Sequence, residues 1–243
     1  MLKKRITILI IFLALITVGC FGTSIPKTIV FKTPEEAVTY YFEGVTQADA
    51  NKILQACAIN EMSGNFKFDL YIERIGILMP MQFLSPTDSP LYIETNKMQL
   101  SAQILNRVKI FSYSLLSSEE VDEGKAISID TARTNIFIKD VDPKRLSQLK
   151  LIKIGIPDKA LMDNPKNLEN ESKLAIIYGA DESTERVALF LFEQNYYYLG
   201  FTLFRYGENW KISDQISQLA GTNILGAPQK TTVVEFDNLV NND

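Results

Sequence analysis

The segment 196–206 constrains the fold of this chain most strongly, because it reads as a strand that is apolar on both faces. One face carries Tyr197, Leu199, Phe201 and Leu203, and the other carries Tyr196, Tyr198 and Phe204. An antiparallel sheet normally leaves one face in water. Both faces of this strand therefore need cover, from helices on one side and from a pocket, a second layer or a partner on the other.

The second half of the chain predicts an antiparallel meander around that strand. Segments 173–178, 185–193 and 196–206 are evenly spaced and separated by turn residues, and a final strand covers residues 210–212. Before the meander, the sequence predicts strands at 126–129, 134–138 and 151–156, a helical turn at 143–149 and a polar loop at 155–172. Residues 229–243 are predicted to be a polar tail that is only partly ordered.

The first half of the chain predicts helices. Thr33-Pro34-Glu35-Glu36 combines a capping threonine, a proline at the first helical position and a glutamate three residues after the cap. Asp49 caps a second helix, and residues 64–80 and 96–117 predict two more. The longest of them contains Arg107, so it packs at the surface and does not span a membrane. The pattern predicts an α+β fold in which N-terminal helices pack on a C-terminal antiparallel sheet.

Residues 1–19 have the pattern of a secretory signal peptide. Basic residues at positions 3–5 precede the uncharged run 6–18, which is shorter than the ~20 residues that a membrane-spanning helix needs. Gly19-Cys20 resembles the lipobox of bacterial lipoproteins, although Thr17 stands where that family usually has leucine. The resemblance implies cleavage before Cys20 and a diacylglycerol on its sulfur. It also implies an extracytoplasmic protein anchored to the cell membrane, or to the outer membrane in a Gram-negative cell.

Two further pieces resemble the NTF2-like (cystatin-like α+β cone) domains of many bacterial envelope lipoproteins. One is the helical start at 33–42 with the second helix at 48–54, and the other is the strand 198–201 with the turn and strand 207–212. That family begins with helices and closes on long strands, and most members are binding or scaffolding modules. Residues 59–119 depart from the family layout, because they are longer and more helical, and we expect a helical insertion there. The expected boundaries are signal peptide 1–19, tether 20–32, NTF2-like domain 33–228 and tail 229–243.

Composition excludes several classes of function. Asp and Glu (29) outnumber Lys and Arg (25), and loss of the signal peptide would remove three of those positive charges. An acidic chain with scattered lysines has no electrostatic basis for binding nucleic acid. The chain has no histidine, which removes the commonest general base and His-ligated metals. Its second cysteine, Cys57, lies on the apolar stripe of a predicted helix, where a packing role is expected.

The sequence offers few candidates for a functional site. Tyr196, Tyr198 and Trp210, together with Tyr197, suit either a ligand-binding wall or a plain aromatic core, and both interpretations stay open. The acid clusters 119–123 and 181–185 lack the spacing of a calcium loop and are expected to be solvated. We therefore predict no catalytic residue, no metal site and no cofactor.

These observations lead to one functional expectation and two alternatives. The expectation is a lipid-anchored extracytoplasmic module that binds the membrane through Cys20 and an envelope protein or a small ligand through its domain, without catalysis. The alternatives are a carrier of a small apolar or cell-wall ligand, and a cone-type small-molecule enzyme that uses a buried carboxylate. An open aromatic-lined cavity would favour the carrier, whereas a filled core would favour the scaffold.

Overall fold

The structure is a computed structural model that describes residues 29–79, 83–118 and 128–240. Its helices, in chain order, are α1 Pro34–Thr46, α2 Ala50–Ala56, α3 Ile59–Asn65, α4 Phe68–Ile75, α5 Pro90–Leu116, α6 Thr134–Asp140, α7 Lys159–Met162, α8 Pro165–Ile177 and α9 Val233–Leu239. Its strands are β1 Lys150–Gly155, β2 Glu182–Phe192, β3 Asn195–Tyr206, β4 Asn209–Asp214 and β5 Gln229–Thr231. Short 3₁₀ turns lie at Thr131–Arg133 and Pro143–Gln148.

The five strands form one antiparallel sheet with β3 at its centre. The strand order is β1-β2-β3-β4, and β5 pairs with the first part of β3, where Tyr197 lies opposite Lys230. β2 and β3 pair along their whole lengths, with Phe190 opposite Tyr197. The segment 196–206 therefore lies in the central strand of the sheet. The predicted α+β arrangement of N-terminal helices on a C-terminal antiparallel sheet is confirmed.

Helix α1 covers the face of the sheet that carries the odd-numbered residues of β3. The helix starts as predicted, because the Thr33 hydroxyl accepts a hydrogen bond from the Glu36 backbone N–H at 3.2 Å. Its stripe buries Tyr41 and Phe42 against the sheet, where their ring centroids lie 5.2 and 5.9 Å from that of Phe201. Phe111 of α5 extends the same aromatic cluster to the Phe190 ring.

Three different elements cover the opposite face. The Tyr178 ring, just after α8, packs on Phe204 at 5.6 Å. At the other end, Tyr196 and Tyr198 pack with the buried Phe236 of α9. Between them, the loop 215–222 crosses Gly200 so closely that an added Cβ would lie 2.4 Å from the Ser217 nitrogen. Both faces of β3 are thus covered, as its two-sided apolar pattern requires.

Two predicted strands are helices, and the predicted polar loop is largely helical. Residues 134–138 belong to α6, where Phe137 packs on Tyr113 at 5.7 Å. Residues 173–177 are the apolar end of α8, whose polar start lies inside the predicted loop 155–172. Asn164 caps that helix through its side chain, which accepts the Lys166 N–H at 3.0 Å. At 173–177 the strand preference was outweighed by the Asn164 cap and by packing on the sheet, whereas 134–138 pack on α5 through Phe137.

The segment predicted as a polar tail carries structure up to residue 240. Residues 229–231 add strand β5, so Trp210 does not lie in the last strand of the chain. Thr232 and Glu235 then form a capping box that starts α9, and the Phe236 side chain of that helix is fully buried. An ion pair between Lys153 and Asp237 ties α9 to β1. The prediction failed here because Phe236 and Val240 are buried and anchor a largely polar stretch.

Several predictions lie outside the described residues: the signal peptide, Cys20, most of the tether, the acid cluster at 119–123, part of the predicted strand 126–129 and the last three residues of the tail. Within the described ranges, no helix has the length and apolar character needed to cross a bilayer. Within residues 59–79 and 83–116 the chain forms helices α3, α4 and α5, and the helical insertion stays a prediction. Phe66, between α3 and α4, packs on Tyr178 at 5.5 Å, so these helices belong to the main core.

Candidate functional site

The predicted aromatic wall is divided between the two faces of the sheet. Tyr196 and Tyr198 lie on the α9 face, whereas Trp210 lies opposite Arg205 on the α1 face and is 9% exposed. Tyr197 also faces α1, with its ring stacked on Phe190 at 5.8 Å. These side chains do not form one surface: the three tyrosines are partly buried and pack against the core, and Trp210 is buried.

The α1 face of the sheet is filled by side chains. Tyr41, Phe42, Phe190 and Phe201 are each at most 2% exposed, and their rings contact one another edge-on or tilted. None of the four lines any of five clefts found on the surface of the described residues. The space between α1 and the sheet is therefore occupied by side chains.

The strongest candidate site lies at the end of β4, beside α5. Asp214 is the last residue of the strand, and it ends there opposite Thr202 because Ser213 is an extra residue in a β-bulge. The Asp214 carboxylate forms an ion pair with the Arg107 guanidinium of α5 at 2.5 Å, and it accepts the Gln215 N–H at 2.8 Å. Asp214 also lines a cleft of about 210 Å³.

Burial dominates the electrostatics of this carboxyl group. Loss of water around Asp214 raises its pKa to about 6, even though Arg107 and the Gln215 N–H act in the opposite direction. The two side chains are 13% exposed for Arg107 and 23% for Asp214, so the pair is neither dry nor freely solvated. A carboxyl group with such a pKa exchanges its proton near neutral pH, which is the property that acid–base chemistry requires.

A fixed network holds the pair in place. The fully buried Gln215 accepts a hydrogen bond from the Tyr41 hydroxyl and donates one to the Gly226 carbonyl at 2.8 Å. Tyr41 belongs to the aromatic cluster under α1, and burial raises the pKa of its hydroxyl well above the usual range. The network therefore connects the Asp214 end of β4 to the core, and it accounts for a polar residue in a buried position.

The cleft beside Asp214 is mixed in character. Its walls combine apolar side chains with polar ones: Met62, Leu100, Leu174, Phe204 and Ile216, with Gln103, Tyr178, Thr202, Ser213 and Gln218. The Tyr178 hydroxyl and the two glutamine amides make no hydrogen bond to any described residue, so they are available to solvent or to a ligand. No described tyrosine donates to the Asp214 carboxylate.

A second buried carboxylate corrects the prediction that residues 181–185 are solvated. Glu185 lies in β2 with 2% exposure, and it accepts hydrogen bonds from the Ser217 hydroxyl at 2.5 Å and from the Leu219 N–H at 3.1 Å. Burial raises its pKa. The carboxylate fixes the loop that crosses Gly200, and it lines a smaller cleft of about 110 Å³. Only the start of the cluster is exposed.

Cys57 and a possible metal site are the remaining candidates. Cys57 is 4% exposed, burial raises the pKa of its thiol, and the sulfur donates to the Ile53 carbonyl at 3.4 Å. That environment is typical of an inert packing cysteine. In the part of the chain that the structure covers, no group of three or more His, Cys, Asp or Glu side chains is arranged to hold a metal ion.

Sequence reasoning missed Asp214 and Glu185 as buried groups. A signal existed for the first, because Arg107 directly precedes Val108 on the apolar stripe of the longest helix, where a buried guanidinium needs an anion. The identity of that anion was hidden, since Asp214 lies 107 positions away in the chain. No comparable signal marked Glu185, which sits in an ordinary acidic cluster.

Comparisons with known proteins bear on the fold. No family model and no curated protein matches this chain. A solved structure that does match is a cystatin-like protein from Ruminococcus gnavus ATCC 29149, with a TM-score of 0.57 and 20% sequence identity. The match covers 82% of this chain and 44% of the other, so this chain spans less than half the length of that protein. At this identity the likeness concerns the fold alone, and the fold is cystatin-like, of the NTF2-like class that the sequence resembles.

Proposed function

We propose that this chain is a lipid-anchored binding or assembly module on the outer side of a bacterial cell membrane, without catalytic activity. The anchor is a diacylglycerol on Cys20, as the lipobox-like Gly19-Cys20 suggests. The domain then presents its surface to an envelope protein, which is the partner that the proposal favours over a small ligand.

The filled interior of the domain is the observation that supports a binding or assembly module over a ligand carrier. Four aromatic rings from α1, β2 and β3 occupy the α1 face of the sheet, where a carrier would need open volume. A close-packed interior leaves no room for a ligand without displacing a ring. A module of this kind interacts through its outer surface.

The cone-type enzyme is the second candidate, and Asp214 is the observation that favours it. Its raised pKa and its position in a cleft are what general acid–base catalysis requires. Against this, the carboxylate is already bound by Arg107 and by the Gln215 N–H. We therefore assign Asp214 a structural role, in which it neutralises the arginine of α5.

A cavity-opening experiment tests the filled interior. Phe42→Ala should create a dry cavity under α1 that binds a benzene-sized apolar probe, at a cost of about 3–5 kcal/mol in the free energy of unfolding. The wild-type chain should not bind the probe when it is titrated in parallel. Native mass spectrometry of the wild-type chain should show no co-purified ligand. A ligand bound one-to-one in the wild-type chain would favour the carrier and contradict the scaffold.

A further inference from the structure

The most concentrated exposed apolar surface of the described chain follows α4. Ile75, Ile77, Leu78 and Met79 are 44%, 63%, 49% and 45% exposed. In the described ranges no other stretch of five residues carries four exposed large apolar side chains. Single exposed apolar residues are ordinary, whereas a contiguous group marks a surface that meets another apolar phase.

The backbone directs this group, here called the 75–79 run, away from the domain. Gly76 ends α4 in the left-handed conformation, with φ +69°, and its N–H donates to the Ile72 carbonyl at 2.7 Å. A Cβ added at Gly76 would meet nothing within 4 Å, so this position faces open space. Further along, the Phe83 ring packs on Tyr71 at 5.0 Å and fixes the chain to α4 again. The run therefore projects from an anchored base.

The run also lies close to where the lipid would tie the chain. Phe31, near the first described residue, donates its N–H to the side-chain oxygen of Asn209 at the start of β4. The start of α4 lies at the same end of the sheet, because the Lys67 N–H donates to the Ile177 carbonyl and the Tyr206 hydroxyl to the Tyr178 carbonyl. Helix α4 then spans about 12 Å. The eight residues between Cys20 and Ile29 reach at most about 28 Å.

We propose that the 75–79 run is a second membrane contact, which inserts its apolar side chains into the interface of the bilayer that holds the Cys20 lipid. This inference rests on the lipid anchor of the proposed function. The two chains of a diacylglycerol hold the protein at the bilayer, and a second apolar contact sets the orientation of the domain. The run itself carries no charge, and the preceding Glu73 and Arg74 offset each other. The contact is therefore hydrophobic and independent of anionic lipid.

The test places a fluorescent probe on the run in the full chain. Leu78→Cys is labelled with an environment-sensitive dye, and the matched control is Ile224→Cys, since Ile224 is 69% exposed and lies outside the run. The buried Cys57 should not react, and a lipidated Cys20 has no free thiol. Labelling of the wild-type chain therefore tests the anchor separately, because a reactive Cys20 would contradict the proposed lipid. The iodide access of the probe at position 78 tests the membrane contact in either case.

The labelled proteins are reconstituted in vesicles of purified phosphatidylcholine, with and without phosphatidylglycerol. We expect the probe at position 78 to be shielded from aqueous iodide severalfold more than the probe at 224, and to be quenched by nitroxide-labelled lipid. High salt and lipid charge should not change this difference. Equal iodide access at both positions would overturn the proposal while the anchor stands. Shielding that disappears on dilution of protein at constant lipid would assign the run to a second copy of the chain instead.

Discussion

At the scale of single residues, the Asp214–Arg107 pair is the feature with the clearest physical consequence. Burial raises the pKa of Asp214 to about 6 from its ordinary value of 3.8. The folded chain therefore holds this proton more tightly than the unfolded chain does. The stabilisation from the bound proton is complete below about pH 4 and is lost as the pH rises through about 6.

The variant Asp214→Asn tests that sign. The wild-type free energy of unfolding, measured relative to the variant by urea denaturation, should fall by about 1–3 kcal/mol between pH 4 and pH 7. The Asn variant is the reference for the wild-type chain, because the other groups titrate alike in both proteins. A wild-type advantage that grows with pH would mean that attraction to Arg107 outweighs burial.

Gly200 offers a second residue-scale prediction. The loop 215–222 approaches it so closely that a methyl group would meet the Ser217 nitrogen and the Thr222 hydroxyl at 2.4 and 2.5 Å. Gly200→Ala should therefore destabilise the fold by about 2 kcal/mol or more, since neither contact is a flexible side-chain end. Gly64→Ala is the matched control in α3, where a Cβ meets nothing within 4 Å and should gain about 0.5–1 kcal/mol. Equal effects on thermal unfolding would show that the loop moves aside.

At the scale of elements, the sequence predicted those segments whose period and caps agree. Helix α1 has a cap, a proline at its first position and an apolar stripe, and β2 and β3 are apolar segments bounded by turn residues. Helix α8 was missed because its apolar end, 173–177, is rich in strand-forming residues while its start is polar. Its Asn164-Pro165 start signal was present, but the choice between strand and helix depended on packing against the sheet.

The candidate site was less accessible to sequence reasoning, for a physical reason. The raised pKa of Asp214 arises from burial, which outweighs the opposite effect of Arg107, and both depend on how α5 lies across the end of β4. The same holds for Glu185, whose partners Ser217 and Leu219 come from a loop more than thirty positions further along. Residue type alone does not distinguish such carboxylates from solvated ones.

Helix α9 tests the corrected view of the C-terminal segment. Phe236→Ala should cost about 3–5 kcal/mol in the free energy of unfolding, because its ring is fully buried against Val187 and Leu189. Val234→Ala, on the same helix but 69% exposed, should change it by less than about 0.5 kcal/mol. If both variants unfold like the wild-type chain, residues 229–240 do not contribute to the core.

At the scale of the whole molecule, we propose a domain with a filled interior that a lipid holds at a membrane. The domain has cover on both faces of its sheet and aromatic rings where a carrier would hold a ligand. Among the described residues, Asp214 is already paired with Arg107, and Glu185 is held by Ser217 and Leu219. We propose that a chain built this way contacts a partner while it is held at the membrane, so the proposed function depends on the anchor.

The most direct test of the anchor compares the wild-type chain with Cys20→Ser in the same bacterial cells. We predict that the wild-type chain stays in the membrane fraction, and that its intact mass equals the chain from Cys20 plus a diacylglycerol. The variant should leave the membrane fraction and lack that added mass, since a serine cannot carry the thioether-linked lipid. A wild-type mass without lipid, or a Cys20→Ser chain that remains in the membrane after cleavage of the leader, would contradict the account.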